Sequence, residues 1–218
     1  MYVAELSVGR PETHQWGKRP VTTAIVKKPV QGPLKLFVQQ FEGDGQADLR
    51  HHGGEDKAVC VYPASHYEWW EQELEQTLPL SAFGENITVA ELTEDTAHIG
   101  DIYQLGNAVV QLSQPRQPCF KLAVRYNDTS LPVKVRETGW SGWYFRVLEE
   151  GIVARGDELE LLERPADAIT VMAANRIMYQ QEGGLEAAEK LASLQPLAEA
   201  WKQQLRSRIK KAAGDQKT

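Results

Sequence analysis

Proline and glycine cut the first 165 residues into short apolar runs, and that segmentation limits the fold more than any other feature. Val3–Val8 stops at Gly9-Arg10-Pro11, and Thr22–Val26 is parted from Leu34–Val38 by Pro29 and the Gly32-Pro33 turn. Ala58–Tyr62, Asn86–Val89, Ile102–Leu105, Val109–Leu112, Trp143–Leu148 and Glu158–Leu162 continue the series. Runs this short, with breakers at their ends, read as strands rather than helices. About nine of them, with few long helices between, predict a mainly β fold with helices, closed or nearly closed into a β-barrel.

Two helices interrupt the pattern. The stretch Pro63–Leu78 carries Tyr67, Trp70 and Leu74 at helical spacing, with acids on the other face. Proline is favoured at the first helical position, which predicts a second helix from Pro118. After Arg164-Pro165 the character changes. Thr170 caps a helix over Val171–Gln181, Gly183-Gly184 breaks it, Leu185–Leu194 forms the next, and Pro196 starts a third through Ala212. Helices of about a dozen residues are marginal alone, so these must pack on each other or on the barrel. The expected organisation is a barrel domain over 1–165 and a small three-helix C-terminal domain over 166–218.

With 42% hydrophobic and 25% charged residues the chain has enough apolar material for a core, which excludes disordered and fibrous classes. No window approaches the roughly 18 apolar residues of a membrane helix. The start Met1–Glu5 has neither the basic nor the apolar region of a secretory signal. Two cysteines, Cys60 and Cys119, do not make a disulfide framework, so a cytoplasmic protein without membrane association is expected. The net charge of −6 argues against nucleic acid as partner, and the basic residues of the last helix read as a solvated face. That charge is uneven. No acid lies between Asp101 and Asp128, where Arg116, Lys121 and Arg125 fall, and so clean a basic stretch points to a local anion site.

The segment Ser113-Gln114-Pro115-Arg116-Gln117-Pro118-Cys119-Phe120-Lys121 concentrates the chemistry. Two prolines fix the backbone, and Cys119 is expected in the first turn of a helix. Helix N-termini and flanking cations stabilise a thiolate, so Cys119 reads as a nucleophile or soft-metal ligand with a depressed pKa. Cys60, inside Ala-Val-Cys-Val-Tyr, has none of these features and is expected in the core. A second segment, Gly43–Lys57, holds adjacent His51 and His52, which an extended chain would point to opposite sides. Its Gly53-Gly54 lets backbone N–H groups approach an anion, and Lys57 adds a point charge. In Phe83-Gly84-Glu85-Asn86-Ile87, ligand binding by Asn86 competes with turn capping. The phosphate-loop, zinc-spacing and serine-elbow signatures are absent.

Taken together, His51-His52-Gly53-Gly54-x-Asp56-Lys57-Ala58-Val59, Phe83-Gly84-Glu85-Asn86-Ile87, Gly100-Asp101 and Ser113-Gln114-Pro115-Arg116-x-Pro118-Cys119-x-Lys121 resemble the MOSC family, the molybdenum cofactor sulfurase C-terminal domain. Their order and the helical tail are most similar to its bacterial hydroxylaminopurine-resistance, YiiM-like branch. The resemblance implies a MOSC-type barrel that binds a molybdopterin-type molybdenum cofactor. Cys119 would be the molybdenum ligand and catalytic centre, with Arg116, Lys57 and the Gly53-Gly54 backbone at the phosphate and pterin. His51, His52, Asn86, Ser113 and Lys121 are further cofactor-pocket candidates. It also implies reduction of N-hydroxylated small molecules such as hydroxylaminopurine-type bases, with electrons from an external flavin-type reductase. The alternative is a non-catalytic carrier of the cofactor or of sulfur. Paired tryptophans (Trp69 and Trp70, Trp140 and Trp143) suit a pocket, a homodimer contact or plain core.

Overall fold

In the computed structural model, residues 1–16 and 20–215 are described, without the side chains of His51, His52 and Asp215. In chain order the elements are β1 (Tyr2–Val8), β2 (Glu12–His14), β3 (Val21–Thr23), β4 (Lys28–Pro29), β5 (Leu34–Leu36), α1 (Leu49–His52), β6 (Val59–Pro63), α2 (Tyr67–Glu73), β7 (Ile87–Ala90), β8 (Ile102–Leu105) and β9 (Ala108–Pro115). They continue with α3 (Phe120–Tyr126), α4 (Leu131–Thr138), β10 (Trp143–Glu149), β11 (Gly151–Val153), β12 (Leu159–Glu163), α5 (Val171–Asn175), α6 (Gly184–Ser193) and α7 (Glu199–Asp215).

Eight strands form one mixed sheet in the order β12-β8-β9-β10-β6-β7-β1-β4, and β2 with β3 and β5 with β11 form two small ribbons. Every neighbouring pair in the large sheet is antiparallel except β6 and β7. Register shifts in β1, β10 and β12 bend these strands, as bulges do. The sheet curls until β1 meets the far edge. Tyr2 bridges Glu158, Val3 N–H donates to the Asp157 carbonyl, and Leu159 N–H donates to the Met1 carbonyl. This is the curled, barrel-like, mainly β fold with helices that the short apolar runs demanded.

Alternation along the strands divides the interior in two. Val59, Val61, Leu112, Trp143 and Phe145 face a large apolar core that continues into the tail through Val171, Ile177, Leu191, Trp201 and Leu205. The three-helix tail is therefore packed on the barrel, as its short helices require. A second cluster joins Tyr62, Tyr67, Trp70 and Phe83 to Leu122 of α3 and to Leu131 and Val135 of α4. It anchors the segment that follows Cys119.

Several boundaries differ from the sequence reading. The 63–78 helix is a 3-10 turn plus α2 and ends at Glu73, because Glu75 takes a left-handed φ of 51°. Helix α4 was not foreseen. Pro132 lies in its first turn, Leu131 and Val135 stack one turn apart on the buried side, and Gly139 ends it at φ 74°. Thr170 caps α5 as expected, accepting from Ala173 N–H, but the helix then loosens into a π-helical stretch over Arg176–Gln180. Of the tryptophans, Trp70, Trp143 and Trp201 are fully buried.

Gly142 opens β10 at φ 68°, where an added Cβ would run into the Val61 carbonyl oxygen. Its N–H donates to Glu94 Oε1 at 2.8 Å, and its carbonyl accepts from Arg116 N–H at 3.0 Å. Replacing Gly142 by Ala should lower the stability measured by urea unfolding by at least about 2 kcal/mol.

Candidate functional site

Cys119 ends the irregular stretch after β9. It is not in the first turn of a helix: it is the N-cap residue of α3, extended at φ −101° and ψ 140°, and Pro118 precedes it outside the helix. The extended backbone of Cys119 sets the start of the helix at Phe120 rather than at Pro118. Its own carbonyl accepts from Leu122 N–H at 3.0 Å, and the Leu122 side chain is buried in the second cluster. The thiol is half-buried and faces a cleft.

The cleft is lined by Cys119, Arg116 and Lys121 from the cysteine segment, by Lys57, and by Asn86. The structure thus gathers five of the sequence-predicted residues. It does not gather all. Ser113 is fully buried away from the cleft, with its hydroxyl 2.6 Å from the Asp56 carbonyl and 3.0 Å from that of Tyr144. A hydroxyl placed between two carbonyls joins backbone segments rather than meeting a ligand. Gly53 and Gly54 also lie outside the lining. The backbone at His51 and His52 is helical, in α1, so the two residues do not alternate along an extended chain; their side chains lie outside the described residues.

Four further lining residues with titratable side chains were missed: Cys60, Tyr144, Lys27 and Asp44. Cys60 was expected in the core. It is buried, but β6 has Val59 and Val61 on the core face, and strand alternation turns Cys60 the other way, into the cleft wall. Tyr144 lies opposite it across the β6–β10 pair and faces the same way. Burial pushes both the Cys60 thiol and the Tyr144 hydroxyl up, so both are neutral near pH 7. The alternation of β6 and β10 was the signal available; the unbroken apolar run concealed it.

Arg116 is buried against the cleft floor, with a guanidinium nitrogen donating to the Phe83 carbonyl at 2.5 Å. Burial works against its charge, but at the high pH where it would titrate the anionic forms of Cys60, Tyr144, Glu85 and Cys119 outweigh that cost and hold its pKa above the usual arginine value. Glu85, fully buried, accepts from the Tyr67 hydroxyl at 2.5 Å, from Ser81 N–H at 3.1 Å and from the Thr88 hydroxyl at 3.0 Å. Lys57 is pulled down by partial burial, against the opposing pull of Asp56 and Asp48.

Asn86 has a structural task beside its place in the lining. Its Oδ1 accepts from Cys60 N–H at 3.1 Å, and its Nδ2 donates to Asp44 Oδ2 at 2.9 Å and to the Ser7 carbonyl at 3.3 Å. Asp44 in turn accepts from Gly9 N–H at 2.8 Å and pairs with Lys27 at 2.5 Å. Lys27 and Asp44 are almost fully buried, at 6% and 1% side-chain exposure.

Among the described residues, which leave out the His51 and His52 side chains, no three His, Cys, Asp or Glu side chains gather as a metal site. A second, more open hollow, lined by Asp157, Glu158 and Glu160, offers neither thiol nor cation. No helix among the described residues is long and apolar enough to cross a membrane.

Comparison with known proteins places this geometry in context. Residues 48–160 match the MOSC domain, and residues 169–212 match the YiiM-like, 3-alpha helix domain. The chain is 50% identical over 200 residues to the uncharacterized protein YflK of Bacillus subtilis, covering 92% of this chain and 90% of that one. It is 34% identical over 210 residues to protein YiiM of Escherichia coli, covering 95% and 92%. A protein of Gibberella moniliformis named reductase is 32% identical over 196 residues, 88% of this chain but 35% of its own length. The crystal structure of YiiM from Geobacillus stearothermophilus superposes with a TM-score of 0.82 at 39% identity, covering 95% of this chain and 98% of that one.

Two measurements check the site. A thiol reagent should modify one cysteine quickly and the other only slowly, and Cys119→Ala should remove the fast phase. Asn86→Ala should cost about 2–3 kcal/mol in urea unfolding by leaving buried partners unpaired. Asn86→Asp should cost more, since it sets a second carboxylate against Asp44.

Proposed function

The chain belongs to the MOSC domain family, in its YiiM-like branch, and from that membership and the cleft at Cys119 we propose a molybdenum-cofactor oxidoreductase that reduces N-hydroxylated small molecules of the hydroxylaminopurine type. The observation that carries this reading is the joining of a half-buried thiol to an excess of cations in one cleft. Cys119 is the soft ligand, and Arg116 and Lys121 remain as positive charge after Lys27 is matched by Asp44. An anionic, phosphate-bearing cofactor that brings its own metal ligands fits such a lining. The reductase-named relative agrees in the class of reaction.

In this reading Cys119 binds the metal, and its place beside the rigid 115–118 segment fixes where the metal sits. Arg116 keeps its charge although buried, and its remaining N–H groups offer the directional donors that suit a phosphate. Lys57 and Lys121 add point charges to the same lining. Cys60 and Tyr144, uncharged, close the wall without competing for the anion. The cofactor, when bound, supplies the exchange of two electrons and one oxygen with the substrate. An external flavin-type reductase supplies the electrons, since the chain carries no flavin or haem motif of its own.

The test is metal and pterin analysis of protein produced in a host that makes the cofactor. Wild type should carry near-stoichiometric molybdenum and pterin and turn over hydroxylaminopurine with a flavin reductase. Cys119→Ala should lose the metal and the activity while changing stability by less than about 1 kcal/mol, because its side chain is only half-buried. Cofactor-free wild type from a replete host would overturn the proposal. Cofactor without turnover by any donor would favour a carrier instead.

A further inference from the structure

The cleft carries a second polar device that anion binding does not use. Lys27 and Asp44 line it opposite in charge, 2.5 Å apart and almost wholly out of water. Burying such a pair is expensive unless its geometry is well supported. Here the support is concentrated on one partner. Asp44 is bonded by Gly9 N–H, by Asn86 Nδ2 and by Lys27. Lys27 is not supported in the same way: among the described residues its ammonium bonds Asp44 alone, although it has three N–H groups to give. Two buried donors are thus left beside the cleft, at a fixed position.

Charge decides what they suit. Arg116 and Lys121 have no matching carboxylate in the lining, so an anion is drawn to them. Lys27 is neutralised at contact distance by Asp44, and the pair presents strong donors without net charge. That combination favours an uncharged oxygen over a phosphate. We propose that Lys27, held in place by Asp44 and Asn86, donates a hydrogen bond to the hydroxyl oxygen of the N-hydroxylated substrate and so separates substrate from its deoxygenated amine. This rests on the reading of the cleft given above. Lys27 then sets specificity: a site built to bond an oxygen rejects the analogue that lacks it, because the buried donor is left unpaired. The same preference releases the amine once the oxygen has gone.

The test compares binding of 6-hydroxylaminopurine and adenine to the cofactor-loaded protein by calorimetry, without reductant so that no turnover occurs. Lys27→Met alone strands the Asp44 carboxylate and can fail to fold. The informative variant is therefore the double substitution Lys27→Met with Asp44→Asn, which removes both charges at nearly constant volume. Wild type should prefer the hydroxylated base by about 10- to 100-fold, the scale of a buried hydrogen bond from a charged donor. The double variant should bind the two bases alike, with adenine affinity and molybdenum content unchanged. A double variant that keeps the preference at full molybdenum content overturns the assignment. So does one that loses molybdenum or pterin, which would place the pair at the cofactor. If loaded wild type does not prefer the hydroxylated base, the assignment to Lys27 falls. If wild type also fails to reduce it, the substrate reading falls too.

Discussion

Asn86 stands where three distant pieces of chain meet, and its side chain supplies hydrogen bonds that join them. One amide reaches the carbonyl of Ser7 in β1, the carboxylate of Asp44 in the loop after β5, and the N–H of Cys60 in β6. None of these groups is well exposed to water, so each bond matters less for what it adds than for the penalty incurred when it is missing. Through Asp44 the same amide fixes Lys27, and through the Cys60 backbone it fixes a wall of the cleft. Remove this junction and the cleft has no reason to keep its shape.

The motif around it divides its work by position. The Phe83 ring packs into the second apolar cluster while its carbonyl receives the Arg116 guanidinium. Gly84, at φ 83°, brings bare backbone to the cleft where a side chain would collide with Ile25. Glu85 gathers three hydrogen-bond donors and contributes negative charge near Arg116. Four consecutive residues thus face four different surroundings, which is why no single spacing rule could have told their roles apart.

Much of the architecture was legible because it is written in breakers and alternation. Nine of the twelve strands among the described residues, the capped start of the tail at Thr170 and the cysteine segment as a focus of charge follow from local signals, whereas the short strands β2, β4 and β11 do not. What was not legible depends on contacts between segments far apart in sequence. Cys60 looks like core because β6 is apolar on both faces, and only the curl of the sheet makes one of those faces a cleft. Lys27 and Asp44 are 17 positions apart, with no motif linking them. Ser113 shares a motif with Cys119 but, two residues before Pro115, is committed to the backbone of its neighbours. Helix α4 escaped because its β-branched residues weaken the propensity signal, while burial of Leu131 and Val135 overrides it.

The seam that joins the first strand to the last has a consequence for how the chain is made. Met1, Tyr2 and Val3 bond to residues 156–159, and β1 finds its other partners at 28–29 and 87–90. During synthesis β1 leaves the ribosome before its partners, yet its edge cannot be covered until residues 156–159 have followed. Closure of the sheet thus waits on residues made long after β1. Until then an exposed strand, Tyr2–Val8, is open to pairing with the wrong neighbour. The interval between the birth of β1 and the arrival of residue 159 is the period in which a nascent chain of this design most needs protection from its own kind.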